Sequence, residues 1–139
     1  LMSTESLLSL LLGFVLGLFG GIYAGFVIAR LQKFSDLKAK ARRIILEIDF
    51  VFDGNSMEFL RRKDVSELSM IGSDLLSRGH RKAGGMLYEL NSEVDKSLHL
   101  ASIGQVDPQK FNKLHSTWQR AIEAMVPNRW KICSPWPKL

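Results

Sequence analysis

The feature that most constrains this chain is an uncharged apolar stretch near its N-terminus. From Ser6 to Ala29 there are 24 consecutive residues without a charged side chain. As an α-helix rising 1.5 Å per residue, such a stretch reaches roughly 36 Å, more than the bilayer hydrocarbon thickness of about 30 Å. The sequence therefore predicts one transmembrane helix over residues 7–30, preceded by a short extracytoplasmic N-terminus, residues 1–6.

Small residues recur along one line of the predicted span at intervals of four. They are Gly13, Gly17, Gly21, Gly25 and Ala29. Lipid provides no hydrophobic drive for helix association, so close backbone approach along such a row is a common basis for packing between membrane helices. We expect this row to be the interface of a homo-oligomer. Association with a different membrane protein and a solitary glycine-rich span are the alternatives.

Basic residues are concentrated just after the span, where we predict that they lie on anionic lipid headgroups. They are Arg30, Lys33, Lys38, Lys40, Arg42 and Arg43, against one acidic residue, Asp36, in the same segment. Before the span the one charged residue is Glu5. By the positive-inside rule, this asymmetry predicts an inner (plasma) membrane protein with its N-terminus outside and its C-terminal domain in the cytoplasm. Cys133, the single cysteine, cannot form an intrachain disulfide, which agrees with a reducing compartment.

Residues 31–139 are enough for one small domain and too few for two. Apolar residues in this part recur at steps of three and four, and no segment alternates convincingly with a period of two. The first helix is predicted to continue from the span without a break to about Phe52, where Asp53 to Ser56 form a turn. The predicted fold class is all-α, with the transmembrane helix leading into a cytoplasmic domain of four or five helices.

Local signals mark where the later helices begin and end. Ser56, Asp64 and Asp107 are predicted N-caps, and proline in the position after Asp107 makes that start the strongest of the three. Gly79 and Gly104 are predicted stops at helix C-termini. The tail from residue 128 onwards combines tryptophans with basic residues. Such a tail could lie at a membrane interface or stack on a base, but we expect it to pack on its own domain or on a neighbouring subunit.

No pattern of catalytic residues is found in the sequence. It lacks a paired His and Cys spacing for zinc, a nucleophile elbow and a phosphate-loop lysine motif. Glu47, Asp49 and Asp53 are interpreted as a solvated acidic face and not as a metal site, since Glu47 does not share the helix face of the other two. We predict that the protein is not an enzyme and has no cofactor.

The stretch with most ligand-binding character is SRGHRKAGG, from Ser77 to Gly85. It places four residues with basic or imidazole side chains among glycines at the junction of two helices; they are Arg78, His80, Arg81 and Lys82. Free N–H groups and the helix dipole favour an anion there, and glycine allows a phosphate to approach the backbone. The alternative interpretation is that glycine and basic residues simply end a helix.

These expectations combine into one functional hypothesis. The chain is expected to be a homo-oligomeric membrane effector whose cytoplasmic domain senses an anionic, nucleotide-like signal and alters the packing or permeability of a transmembrane bundle. The expected partners are membrane lipid, further copies of the chain and the anionic ligand. The alternative is a non-enzymatic membrane anchor or accessory subunit of a larger membrane complex.

Overall fold

The computed structural model describes residues 4–54, 57–61 and 65–136. Five helices account for most of these residues: α1 (Thr4–Leu46), α2 (Glu67–Ser77), α3 (Arg81–Ser102), α4 (Pro108–Glu123) and α5 (Arg129–Cys133). Two short strands lie between α1 and α2: β1 (Asp49–Phe52) and β2 (Met57–Arg61). The fold is therefore mostly helical, in agreement with the predicted class.

Helix α1 is a single helix of 43 residues with two different halves. Its N-terminal half contains an 18-residue window with a mean hydropathy of 2.2, none of which is buried, so α1 is long and apolar enough to cross a membrane. Its C-terminal half belongs to the hydrophobic core. The buried residues of this half are Phe34, Leu37, Ala41, Ile44 and Ile45.

The region after α1 differs from the prediction, because the helix ends at Leu46 and a β-hairpin replaces the expected continuation to Phe52. The two strands are antiparallel and place Phe50 opposite Phe59. Both rings pack on Phe111 of α4, with ring centroids 4.9 Å and 5.8 Å away. The strand pair thus brings two aromatic side chains onto one face of the core, which explains why it forms here.

Within the part of the predicted turn that the structure describes, Gly54 has a φ of 99°. This is a left-handed conformation that glycine adopts without steric cost. The predicted caps Ser56 and Asp64 lie outside the described residues. The helix expected after Ser56 is absent, because β2 occupies Met57–Arg61, and α2 has Ser66 as its N-cap.

The predicted stops of α2 and α3 and the predicted start of α4 are confirmed. Gly79 and Gly104 have φ values of 83° and 74° and follow the ends of α2 and α3. The carboxylate of Asp107 accepts a hydrogen bond from the backbone N–H of Gln109 at the start of α4. Helix α3 begins at Arg81, earlier than Ala83 or Met86, the two positions at which its apolar spacing predicts a start.

Helices α2 and α3 approach each other closely where two glycines meet. A Cβ atom on Gly84 would lie 2.8 Å from the carbonyl oxygen of Gly72 and 2.6 Å from Cγ of Leu76. Helix α4 completes the core with Phe111, Trp118 and Ile122, all fully buried. The short helix α5 then returns the chain to α1.

Candidate functional site

Helix α5 docks on α1 at the end of the apolar stretch, through Arg30. Nη1 of Arg30 donates hydrogen bonds to three carbonyl oxygens, those of Lys131 at 3.0 Å, Ile132 at 3.2 Å and Ser134. The last carbonyl groups of a helix have no partner within it, so Arg30 caps the C-terminus of α5. The contact ties residues more than 100 positions apart in the sequence.

The tail packs on its own domain as expected, but not through its tryptophans. Ile132 is 4% exposed, whereas Trp130 is 84% and Trp136 is 80% exposed. The hydroxyl of Tyr23 on α1 donates a hydrogen bond to the carbonyl oxygen of Cys133. The tail is therefore held by one apolar side chain and by backbone hydrogen bonds, with its large aromatic rings directed outward.

His80 connects the loop between α2 and α3 with two other parts of the fold. It is only 5% exposed, and its Nδ1 accepts a hydrogen bond of 3.0 Å from the backbone N–H of Asn128. Its ring makes an edge contact with Phe34 of α1, at a centroid distance of 4.9 Å. Because Nδ1 accepts, the proton of the neutral ring lies on Nε2. Burial lowers the pKa of His80 below the ordinary value of 6.5, and the Arg78 guanidinium lowers it further.

The four ligand residues predicted in this loop divide between two cavities, and His80 lines both. The first, which we call the Arg30 cavity, has a volume of about 280 Å³ and is lined by Arg30, Ser77, Arg78, His80, Lys131, Ile132, Ser134 and Trp136. The second, which we call the Arg81 cavity, has a volume of about 440 Å³ and is lined by His80, Arg81, Lys82, Ala83, Val126, Pro127, Asn128 and Arg129. The loop therefore contributes cations to two separate places.

The Arg81 cavity is lined by three cationic side chains and by apolar residues. In the described part of the chain, Arg81, Lys82 and Arg129 form no ion pair with a carboxylate. Val126 and Pro127 contribute the apolar wall. Unpaired cations beside apolar surface suit an anion that also carries a flat apolar group, such as a nucleotide.

The Arg30 cavity draws its cations from three elements. Arg30 comes from α1, Arg78 from the end of α2 and Lys131 from α5. Arg78 also forms an ion pair with Asp74, with 2.9 Å between Nε and Oδ1. As ligand residues of this cavity, the sequence indicated Arg78 but missed Arg30 and Lys131, which are distant in sequence and lack a local motif. Arg129 of the Arg81 cavity was missed for the same reason.

Two of the basic residues predicted at the membrane surface hold α4 against α1. Nζ of Lys38 donates to the carbonyl oxygens of Glu123 and Met125 at the end of α4, at 2.6 Å and 3.0 Å. Arg42 forms an ion pair of 3.1 Å with Glu123. These cations satisfy the last carbonyl groups of α4 and oppose the negative end of its dipole.

The remaining predicted membrane-surface residues have other environments. Arg43 pairs with Glu47, the residue that follows α1, at 2.7 Å. Lys33 is half-buried and Lys40 is exposed. Contact of these residues with lipid headgroups stays a prediction.

The glycine row of the predicted oligomer interface faces open space within one chain. A Cβ atom added at Gly13, Gly17, Gly21 or Gly25 would meet nothing within 4 Å. Ala29, the last residue of the row, is also exposed. The row is thus accessible to another helix.

Comparison of the chain with protein families, characterised proteins and solved structures finds no match to a family model, a curated protein or a known structure. The chemistry of the two cavities and the position of the Arg30 cavity at the end of the apolar helix therefore have to indicate the function.

Proposed function

We propose that this chain is a homo-oligomeric, single-pass membrane effector whose helical domain binds a nucleotide-like anion in the Arg81 cavity. Ligand binding there changes how the transmembrane helices of the oligomer pack or how permeable their bundle is. The first half of α1 is the span in this proposal, with the N-terminus outside and the domain in the cytoplasm. The length and composition of α1 and the basic residues that follow its apolar half support this arrangement.

The observation that carries the proposal is that one segment, residues 126–134, contacts both the cavity and the end of the apolar helix. Val126 and Arg129 line the Arg81 cavity at the start of this segment. At its other end Arg30 binds the carbonyl oxygens of α5. An anion bound in the cavity draws Arg129 towards Arg81. Because Arg129 is the first residue of α5, this movement displaces α5 from its contact with Arg30 at the end of the span.

The geometry of α1 leaves the glycine row available while the tail is docked. At roughly 100° per residue, Gly21 and Tyr23 point to nearly opposite sides of the helix. The tail contacts the Tyr23 side, through Tyr23 and Arg30. A second copy can therefore approach the glycine side without displacing the tail. A movement of the tail acts on the face of the span that is opposite to the helix–helix interface.

The test is ligand binding by the full chain in detergent micelles. Isothermal titration with adenosine triphosphate, a linear dinucleotide and cyclic di- and trinucleotides should show binding of at least one compound, weakening as salt is added. Arg81→Ala combined with Lys82→Ala should weaken that binding by at least about tenfold, since each charge-assisted hydrogen bond contributes about 1.5 to 3 kcal/mol.

The matched control removes two exposed cations elsewhere, with Lys96→Ala on α3 and Lys113→Ala on α4, and should leave the affinity unchanged. Both double variants should unfold within about 0.5 kcal/mol of the original chain, because exposed charges without special contacts contribute little to stability.

The competing function is a passive anchor or accessory subunit of a larger membrane complex. The firm attachment of α4 to α1 through Lys38 and Arg42 favours it, because a rigid extension of the span suits a structural role. If none of the nucleotides binds at concentrations up to about 1 mM, where a regulator ought to give a mass-action shift in stability, the sensing proposal fails and the anchor function is preferred.

A further inference from the structure

An apolar groove lies directly beside the Arg30 cavity. It has a volume of about 330 Å³ and is formed between the apolar half of α1 and the tail. On α1 it is lined mainly by Phe19, Ile22, Phe26 and Val27. Arg30, Ile132 and Ser134 line both the groove and the Arg30 cavity, so the two spaces are adjacent. A molecule with an anionic end and an apolar end matches this pair.

The groove faces lipid if α1 spans the bilayer as proposed above. Residues 7–26 form 20 residues of apolar helix, the length that crosses a hydrocarbon core of about 30 Å. The groove then lies at the cytoplasmic end of the core, and Arg30 lies just beyond it, at the level of the headgroups. Trp136 lines the Arg30 cavity and is exposed, and tryptophan is enriched at this level of membrane proteins.

We propose that the Arg30 cavity and the apolar groove together bind one anionic glycerophospholipid. Its phosphate lies among Arg30, Arg78 and Lys131, and one of its acyl chains lies in the groove. Basic pockets at the cytoplasmic side of membrane helices are suited to anionic headgroups. The inference depends on the membrane span of the proposed function but not on nucleotide binding, which involves the other cavity.

The cations of the Arg30 cavity have donors left for a phosphate. All three hydrogen bonds of Arg30 use Nη1, and in the described part of the chain no hydrogen bond engages its Nη2 or Nε. Lys131 forms no ion pair among the described residues. Arg78 is bound to Asp74 only through Nε, which leaves its terminal nitrogens for the ligand. The Asp74 carboxylate offsets part of the positive charge.

The lining of the groove favours a lipid over two other occupants. A neighbouring span is expected on the glycine side of α1, which is nearly opposite the groove by the helical arithmetic given above. A free phosphate would use the cations but would leave the apolar groove without an occupant. A glycerophospholipid has both parts, because its anionic phosphate and its acyl chains are joined through one glycerol. The phosphate can lie in the Arg30 cavity while a chain lies in the adjacent groove.

The test is native mass spectrometry of the full chain in detergent micelles supplied with either phosphatidylglycerol or phosphatidylcholine of the same acyl chains. We expect the original chain to retain phosphatidylglycerol about tenfold more strongly, because two or three charge-assisted contacts recognise its phosphate without opposing a choline cation. Arg78→Ala combined with Lys131→Ala should remove this preference. Arg81→Ala combined with Lys82→Ala, which alters the other cavity, should retain it.

Two further measurements separate the acyl chain from the headgroup. Ile22→Trp fills the groove from α1 and should weaken retention of phosphatidylglycerol while the cations stay in place. Soluble glycerol 1-phosphate at the same concentration should not displace the lipid, because it lacks the chain that fills the groove. Circular dichroism of each variant checks that it remains helical.

Several results would overturn the proposal. They are equal retention of the two lipids by the original chain, an unchanged preference in Arg78→Ala with Lys131→Ala, full retention by Ile22→Trp, or displacement by glycerol 1-phosphate. Nucleotide binding that is lost only in Arg81→Ala with Lys82→Ala would stand in any of these cases, so the two proposals fail separately.

Discussion

Among single residues, His80 joins the loop between α2 and α3 to two other parts of the fold. It follows Gly79, precedes α3, accepts a hydrogen bond from Asn128 and contacts Phe34. The charged groups that line the cavities around it are all cationic: Arg30 on α1, Arg78 on its own loop, Arg81 and Lys82 on α3, and Arg129 and Lys131 on α5. Protonation of His80 would remove the acceptor at Nδ1 and add a charge among these cations.

The lowered pKa of His80 predicts how stability depends on pH. The unfolded chain takes up a proton at His80 near pH 6.5, whereas the folded chain does so only at lower pH, so the free energy of unfolding falls as pH decreases below about 6.5. The stability contribution is fully present above that pH. Thermal unfolding of the full chain in detergent, followed by near-ultraviolet circular dichroism between about pH 5 and about pH 8, measures this change.

His80→Asn should reduce that pH dependence, because Oδ1 of asparagine can accept the Asn128 hydrogen bond but does not titrate. His99→Asn is the control, since His99 is exposed on α3 and should leave the profile as it is. If stability depends on pH equally in the original chain and in His80→Asn, His80 is not the group responsible for the pH dependence.

Among the elements, the pairing of α2 with α3 depends on glycines as well as on apolar side chains. Gly72 and Gly84 lie where the two helices approach most closely, whereas a Cβ atom on Gly85, the next residue, would meet nothing within 4 Å. Two adjacent glycines of the same helix therefore have opposite roles. One is required for packing, and the other is open to substitution.

We predict that Gly84→Ala destabilises the fold by about 1 to 3 kcal/mol, the usual range for overpacking, because its new Cβ must displace Leu76 or the backbone at Gly72. Gly85→Ala should instead be neutral or stabilise by up to about 1 kcal/mol, since alanine is the better helix former. Unfolding by urea in detergent compares the two. Similar effects of both substitutions would show that the close approach of α2 and α3 does not limit stability.

At the scale of the whole molecule, α1 is both the apolar helix and a wall of the domain core. Five apolar residues between Phe34 and Ile45 are buried in the core, while the glycine row in the N-terminal half of the same helix faces outward. Because no break separates the two halves, a rotation or tilt of one is transmitted to the other. In the proposed effector, a movement of the domain on ligand binding would therefore be passed along α1 to the transmembrane helix.

We predict that Gly17→Leu combined with Gly21→Leu shifts the assembly towards monomer, because the added side chains prevent close backbone approach. Leu16→Ile combined with Leu18→Ile lies off the row and should have a much smaller effect. Native mass spectrometry and crosslinking in membranes measure the oligomer in each variant. An unchanged oligomer in the glycine variant would exclude the row as the contact.

The sequence by itself determined those features that are decided by residues close together along the chain. The apolar helix follows from an uninterrupted run without charge, the stops at Gly79 and Gly104 from the freedom of glycine at positive φ, and the cap at Asp107 from a side chain that reaches the next turn. Each is decided within a few residues, so local pattern was sufficient. The turn at Gly54 could be predicted for the same reason.

Tertiary structure alone decided the hairpin and the composition of the two cavities. Phe50 and Phe59 form strands because a strand pair places both on Phe111, and this gain in aromatic packing is absent from any local signal. Arg129 and Lys131 join the loop at His80 only when Arg30 has docked the tail, across more than 100 residues of sequence. Local propensity determines helices and turns, whereas the position of a cation in a cavity depends on which distant surfaces pack together.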